Sequence, residues 1–398
     1  MWARTARTAA VVAAGSLRTM SEPSPWGGPP IYLDFNATTP IDPRVAQACL
    51  PYLTEHFGNP SSGHLYGRAA HDAVAAARAK VAGLLGAAPE EIVFTGGGSD
   101  GDTLAVRGAA LANPGDHVIT QVTEHPAVLA VCDSLVRLHG YRVTRLPVDE
   151  HGLVNPADLD AALDDRTVLV SIMHANNETG TVQPIRALAA LAHARGALFH
   201  TDASQSAGKL ALSTADLGVD LLTITGHKMY APKGVGALYV RAGLALEPST
   251  YGGGQERGLR AGTENVALIV AFGEAARIAR DVPDLRPLRD LLHRRLEEAL
   301  PGRVHLNGHP TERLPNTLNV SIDGLPGDEL LAATPGVAAS TGSACHEGVT
   351  EPSPVLTAMG IPPERARCAL RLTLGRTTTA EEVARAAREL MSHSPALS

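Results

Sequence analysis

The chain has 398 residues, of which 44% are hydrophobic and 19% charged, and a net charge of −7. That length and composition fit a folded protein with two domains, or one large domain with an appendage. The acidic balance and the lack of a dense basic patch exclude nucleic acid or anionic membrane as the main partner. No apolar run reaches the roughly 18 residues of a membrane span. Cys49, Cys132, Cys345 and Cys368 show neither a CxxC nor a pairing rhythm, so neither a disulfide framework nor a metal site is indicated. Only four of the 34 basic residues are lysines: Lys80, Lys209, Lys228 and Lys233. A lysine in an unusual setting in such a chain marks a task that needs an amine.

Residues 1–30 read as a flexible tail. Arg4, Arg7 and Arg18 flank a small apolar stretch from Ala9 to Ala14, with no acidic residue before Glu22. The pattern faintly resembles a targeting peptide. A solvated tail, or translation from Met20, are the plainer accounts.

From Ile31 to about residue 280 the chain alternates β-rich and helical patterns. The expected strands are Glu91–Thr95, His117–Gln121, Arg142–Leu146, Thr167–Met173, Ala197–His200, Leu221–Thr225 and Gly236–Val240. Ala-rich helices such as His71–Leu85 and Ile185–Arg195 lie between them. This alternation predicts an α/β fold: a large domain over 31–280 with a mainly parallel seven-stranded sheet covered on both faces. A smaller α+β domain is expected over 281–398. There Leu288, Leu291, Leu292 and Leu296 form a helical stripe, and Leu370, Leu372 and Leu374 alternate as in a strand. Thr379 and Glu382 form a capping box for a last helix.

In open α/β sheets, ligands gather at the carboxyl ends of the strands. After Glu91–Thr95 come three glycines (Gly96 to Gly98), Ser99 and Asp100, opening a helix whose N-terminus can cradle an anion. The histidine His125 follows His117–Gln121, and paired asparagines, Asn176 and Asn177, follow the fourth strand. Asp202 follows the fifth strand, and Lys228, 26 residues later, follows the sixth. A salt bridge at the rim of the sheet would explain the last pair. The functional alternative is pyridoxal phosphate, which needs a lysine for its aldehyde, an anion for its ring nitrogen and a helix N-terminus for its phosphate.

A set of ordered motifs goes further. Among them are Leu33-Asp34-Phe35-Asn36-Ala37-Thr38-Thr39-Pro40, Thr123-Glu124-His125, Asn176-Asn177-Glu178-Thr179-Gly180, Asp202-Ala203-Ser204-Gln205, Gly226-His227-Lys228, Gly262-Thr263-Glu264-Asn265, Gly342-Ser343-Ala344-Cys345 and Arg371-Leu372-Thr373-Leu374-Gly375-Arg376. Together they resemble the class V aminotransferase-like enzymes, specifically the cysteine desulfurases and the related selenocysteine lyases, from about Ile31 to Met391. The resemblance implies the pyridoxal-phosphate-dependent transferase fold of type I and a homodimer.

It also implies roles. Lys228 would carry the cofactor as a Schiff base and move the substrate α-proton. Asp202 would pair with the ring nitrogen, and His125 would stack on the ring and assist proton transfer. Gln205 would lie near the phenolic oxygen. Gly98, Ser99, Thr225 and His227 would hold the phosphate, with Thr263 reaching it from a second subunit. Asn177 and Arg371 would clamp the substrate carboxylate, with Asn36 close by. Cys345, on a Gly- and small-residue run that reads as a mobile loop, would take the sulfur as a persulfide.

The activity so implied is conversion of L-cysteine to L-alanine, in the cytoplasm, with delivery of sulfur to an acceptor or iron–sulfur scaffold protein. Release of selenide from L-selenocysteine is the alternative. A further alternative is a non-catalytic scaffold relative, because the phosphate loop departs from the family pattern. Gly101 is expected to loosen the first helical turn, with cofactor binding surviving in weakened form. Asp102 has no evident part in attracting a phosphate.

Overall fold

A computed structural model describes residues 29–341 and 352–392. The first strand, β1 (Ile31–Tyr32), precedes seven strands that form one sheet: β2 (Ile92–Thr95), β3 (His117–Gln121), β4 (Arg142–Leu146), β5 (Thr167–Ser171), β6 (Leu198–Asp202), β7 (Leu221–Thr225) and β8 (Gly236–Val240). Their spatial order is β2-β8-β7-β6-β5-β3-β4. Pairings among β3 to β7 are parallel, and only β8 runs against its neighbours β2 and β7. The sheet is the mainly parallel one expected from the sequence.

The inner strands β3, β5 and β7 are buried throughout, as covering on both faces requires. One face packs on a cluster that includes Ile119, Val170, Phe199, Leu222 and Phe272. The other packs on a cluster that includes Val93, Leu104, Leu135, Leu169 and Leu238. Edge strand β4 is mostly exposed and carries Arg142 and Arg145, each paired with an aspartate, Asp164 and Asp133. Charges on an edge oppose pairing with another chain.

The remaining strands are β9 (Val304–Leu306), β10 (Thr317–Ile322), β11 (Val337–Ala338) and β12 (Ala369–Thr373). A three-stranded antiparallel sheet has the order β12-β10-β9. Helices Arg286–Ala299 and Ala380–Ser392 cover it through Leu292, Leu296, Val383 and Leu390. The Thr379–Glu382 capping box is present in both directions, at 2.9 and 3.2 Å. Ile31 and Leu33 join this second core, because β1 pairs in parallel with β11. The backbone of residues 33–36 then runs beside β12, with Thr373 N–H donating to the Leu33 carbonyl at 2.7 Å.

The loop after β8 is pinned by one buried ion pair. Glu256, 3% exposed at its side chain, receives Arg78 on both oxygens at 2.6 and 2.7 Å and the Phe94 N–H at 2.8 Å. The Arg78 guanidinium also lies over the Phe94 ring, 4.6 Å from its centre. Four residues beyond Glu256, Arg260 pairs with Asp100 at the start of helix Gly98–Ala112. Arg78→Ala removes the hydrogen-bonded cation of a buried carboxylate, a loss that typically costs about 3–5 kcal/mol. Urea denaturation of this variant is expected to show that loss, and an unchanged midpoint would refute the pinning role.

Candidate active site

The parallel strands deliver chemistry to one edge of the sheet. Asp202 is the last residue of β6, which runs two residues past the predicted end at His200, where Thr201 and Asp202 interrupt the apolar pattern. It is buried, and one of its carboxylate oxygens accepts the Ser204 N–H at 2.8 Å. Lys228 ends a single 3-10 turn, Gly226–Lys228, directly after β7. Desolvation pushes the Lys228 pKa down, and the Arg371 charge adds to that; the Asp202 and Asp102 carboxylates act in the opposite sense. The amine is thus easier to deprotonate than a surface lysine.

Helix Gly98–Ala112 starts beside them. Its cap residue Gly97 has φ 140°, a region that favours glycine, and the space where a Cβ would stand is open. A Cβ at Gly98 would come within 3.2 Å of Ser204 Oγ and 3.6 Å of Thr225 Cβ. The helix N-terminus, Ser204 and Thr225 therefore bound one small polar cradle, with free N–H groups of the first turn available to it. Ser99 is exposed at its edge. His227 is held by Thr38, 3.2 Å from Nδ1, and its pKa is pushed down to about 4, first by desolvation and then by Lys228. Desolvation and Lys228 also lower the pKa of His125, whose Nδ1 accepts the Ala127 N–H and caps the following helix.

The glycine of the unusual loop has a packing reason. A Cβ at Gly101 would lie 2.8 Å from Thr223 Cγ2 on β7, so the helix approaches the sheet this closely only without a side chain there. The first turn is helical all the same: the helix runs unbroken from Gly98 to Ala112. Asp100 turns back to the Gly96 N–H at 2.7 Å and to Arg260 at 3.1 Å. Thr103 donates to the Ser99 carbonyl at 2.7 Å. Asp102 points into the core rather than at the cradle. Its Oδ1 is 3.8 Å from His200 Nε2, and burial together with Asp202 pushes its pKa well up. His200 is itself held at a pKa of about 4 by burial, so both shifts favour the uncharged form of their group.

The substrate-side residues meet across the gap between the two sheets. Arg371 on β12 is buried; its Nη2 donates to Asp34 at 2.8 Å and its Nη1 to the Asn177 carbonyl at 3.2 Å. Asn36 is buried, and its Nδ2 donates to Thr317 Oγ1 at 2.9 Å and to the Asn177 carbonyl at 3.2 Å. Of the paired asparagines, Asn176 is the structural one: its Oδ1 accepts the Glu178 and Thr179 N–H groups at 2.9 and 3.0 Å. Gln205 is buried, and its Nε2 donates to the Asn36 carbonyl at 3.0 Å.

Thr263 sits apart in an exposed loop. Cys345 lies outside the described residues. Cys49, Cys132 and Cys368 are buried free thiols, and burial raises the Cys132 pKa to about 12. Sequence reasoning missed Asp34, Asn316, Thr317 and Lys209 as parts of this cleft. Lys209 had a signal: it is one of four lysines and stands four residues after Gln205.

Comparison with known proteins agrees with this geometry. The family model Aminotransferase class-V matches residues 31–386. A cysteine desulfurase of Trichormus azollae is 48% identical over 363 residues, covering 89% of this chain and 90% of that protein. The cysteine desulfurase IscS of Dictyoglomus turgidum is 46% identical over 362 residues, covering 89% and 91%. The chain belongs to the class-V aminotransferases, among the cysteine desulfurases. Among solved structures, a NifS-like protein superposes with a TM-score of 0.84 at 35% identity, covering 91% of this chain and 98% of that one. A structure titled SspA in complex with cysteine gives 0.76 at 37% identity, covering 86% and 98%. Among the described residues, no helix is long and apolar enough to cross a membrane.

Asp102 supplies a test within this desulfurase framework. A carboxyl whose folded pKa is raised loses stability as pH climbs from the ordinary carboxylate range, near 4, to the raised value, by at most about 1.4 kcal/mol per pH unit. An amide does not titrate. The stability of Asp102→Asn relative to the parent is therefore expected to increase steadily from pH 4 upward, in urea melts of cofactor-free protein. A pH-independent difference would mean that Asp102 is ionised normally.

Proposed function

We propose that the protein is a pyridoxal-phosphate-dependent L-cysteine desulfurase that passes sulfur to Cys345 as a persulfide. The observation that carries this reading is the meeting of Lys228, buried Asp202 and a glycine-opened helix N-terminus at one edge of the sheet. An amine, a carboxylate and an anion cradle are the donor set that pyridoxal phosphate needs, so the residues fit that group. When bound, the cofactor supplies an aldehyde for an amine and a ring that withdraws electrons from the substrate α-carbon.

The chain's own residues do the rest. The lowered pKa of Lys228 increases its free-amine fraction, which suits it to bind the aldehyde and to move the α-proton. Asp202 keeps the ring nitrogen protonated. His125 covers the ring and assists proton transfer. Gln205 faces the phenolic oxygen. Gly98, Ser99, Thr225 and His227 hold the phosphate, joined by Thr263 from a second subunit. Arg371 and Asn177 hold the substrate carboxylate beside Asn36. The Cys345 thiolate attacks the substrate sulfur; the carbon–sulfur bond breaks, and its electron pair stays on the carbon that becomes the alanine methyl group.

Both anchors of the segment that carries Cys345 support this role. Ser340 pairs with the Arg371 backbone, and Ser353 donates to buried Glu178, next to Asn177. A homodimer is supported by exposed Leu50, Leu53, Phe57, Leu65 and Tyr66, an apolar group of the kind that marks an interface. We also infer a division near residue 280 into a large cofactor-binding unit, 31–280, and a smaller unit, 281–398, with Ile31 and Leu33 packed on the latter. The reading includes a cytoplasmic location and an acceptor or iron–sulfur scaffold protein for the sulfur.

Two variants test it. Lys228→Ala is expected to abolish borohydride-reducible attachment of the cofactor; an adduct retained on another lysine would overturn the assignment. Cys345→Ala is expected to leave the cofactor absorbance intact while removing sulfide release from L-cysteine. Mass spectrometry of the parent protein after L-cysteine without reductant should find the extra sulfur on Cys345; finding it on Cys49, Cys132 or Cys368 instead would refute the role. Selenide release from L-selenocysteine that far exceeds sulfide release would favour a selenocysteine lyase.

A further inference from the structure

Lys209 shares the cleft with Lys228, Phe35 and Asn316, and the chemistry above gives it no task. Its Nζ donates to Asn36 Oδ1 and to Gln205 Oε1, both at 2.8 Å. An ammonium has three donors and no acceptor, so each of these amides must turn its oxygen toward Lys209. A backbone carbonyl, which only accepts, imposes a direction as well, and an amide held by hydroxyls alone would have none. The remaining contacts agree with the imposed direction. Asn316 also donates to Asn36 Oδ1, at 3.1 Å, and Asn36 Nδ2 is committed to Thr317 and the Asn177 carbonyl. Gln205 Nε2 carries two hydrogens; one goes to the Asn36 carbonyl, which leaves the other for an acceptor on a bound ligand.

We propose that Lys209 is a positioning residue that fixes the Gln205 and Asn36 amides, so that Gln205 offers N–H, and not oxygen, to the cofactor's phenolic oxygen. This rests on the cofactor reading above and deepens it. The amine acts through the amides and touches neither cofactor nor substrate. Without it the Asn36 carbonyl alone would set the direction of the Gln205 amide, and a carbonyl oxygen turned to the ligand would repel a phenolate. Burial between two other cations, Lys228 and Arg371, is a poor place for an ammonium, and burial pushes its pKa well down. The hydrogen bonds to two amide oxygens favour the ammonium and oppose that shift.

The experiment compares purified parent protein with Lys209→Met, which keeps the stem and removes the donors, and Lys209→Gln, which restores a neutral donor. Affinity for pyridoxal phosphate and the pH midpoint of the cofactor absorbance are measured for each. The other groups acting on Lys228 or Lys209, namely Asp202, Asp102, Arg371, His125 and His227, are the same in all three proteins. Lys209→Met is expected to bind the cofactor about tenfold more weakly, the scale of one charge-assisted hydrogen bond. Its midpoint should rise by about half a unit or more, because a donor and a positive charge near the linked amine are both gone. Lys209→Gln should fall between it and the parent. Parental affinity and midpoint in Lys209→Met would overturn the proposal, as would a variant that loses thermal stability alone. If the parent itself takes up no cofactor on Lys228, the functional reading fails first. The positioning claim is then judged on cofactor-free protein, by a double-mutant cycle of Lys209→Met with Gln205→Met, where additive stability changes would refute it.

Discussion

Everything at the cleft depends on the parallel pairing of β5, β6 and β7. Strands that run the same way end at the same edge, so residues dozens of positions apart in sequence arrive side by side. His174 to Asn177 follow β5, Asp202 closes β6 and Lys228 follows β7. The one reversed strand, β8, returns the chain past Gly97, where a Cβ at Gly236 would stand 3.0 Å from the Gly97 backbone. That closeness lets the helix at Gly98 open over the same edge. The sheet therefore selects not only which groups meet but how near the helix can come.

The same edge is a difficult place for charge. Asp102, Glu124 and Glu178 are buried acids whose pKa values burial raises, while burial lowers those of His174 and His200 to about 4. Each of these shifts favours the uncharged form of its group. Glu124 accepts the Met173 N–H at 2.6 Å, and His200 bridges Ser171 and Thr223 at 2.8 and 3.0 Å. Asp202 and Arg371 act in opposite senses on Lys228, and Lys228 and Arg371 both act on Lys209. In a medium of low polarisability each acts strongly on the others.

Much of this was legible in the sequence. β-Rich runs alternating with helical patterns placed all seven strands of the large sheet within two residues of their ends, because the inner strands are rich in apolar and β-branched residues. Helix Leu65–Leu85 starts six residues earlier than its apolar pattern suggests, since its cap is a histidine: His64 Nδ1 accepts the Gly67 N–H at 3.2 Å. The two-residue strands β1 and β11 had no local signature, for such short segments are strands only through each other. Gly101 read as a weak point because propensity treats a helix as isolated; Thr223, more than a hundred residues away, gives the glycine its purpose. Lys209 was missed for a similar reason. Its partners Asn36 and Gln205 lie 173 and 4 positions away, and only the fold shows that one amine reaches both.

The segment from Ile31 to Asn36 has a consequence for how the protein is made. Its partners are Val337 and Ala338 on β11 and Thr373 after Arg371, and the Asn36 N–H bonds a hydroxyl 337 positions downstream. A ribosome finishes the large sheet long before those partners exist. During that interval the Leu33 and Ile31 side chains have no core to enter, and Asp34 has no guanidinium. Contacts of such sequence separation form late and slowly, because a long loop must close before they yield anything. The segment from Ile31 to Asn36 therefore takes its place in the cleft only once β11 and β12 have been made.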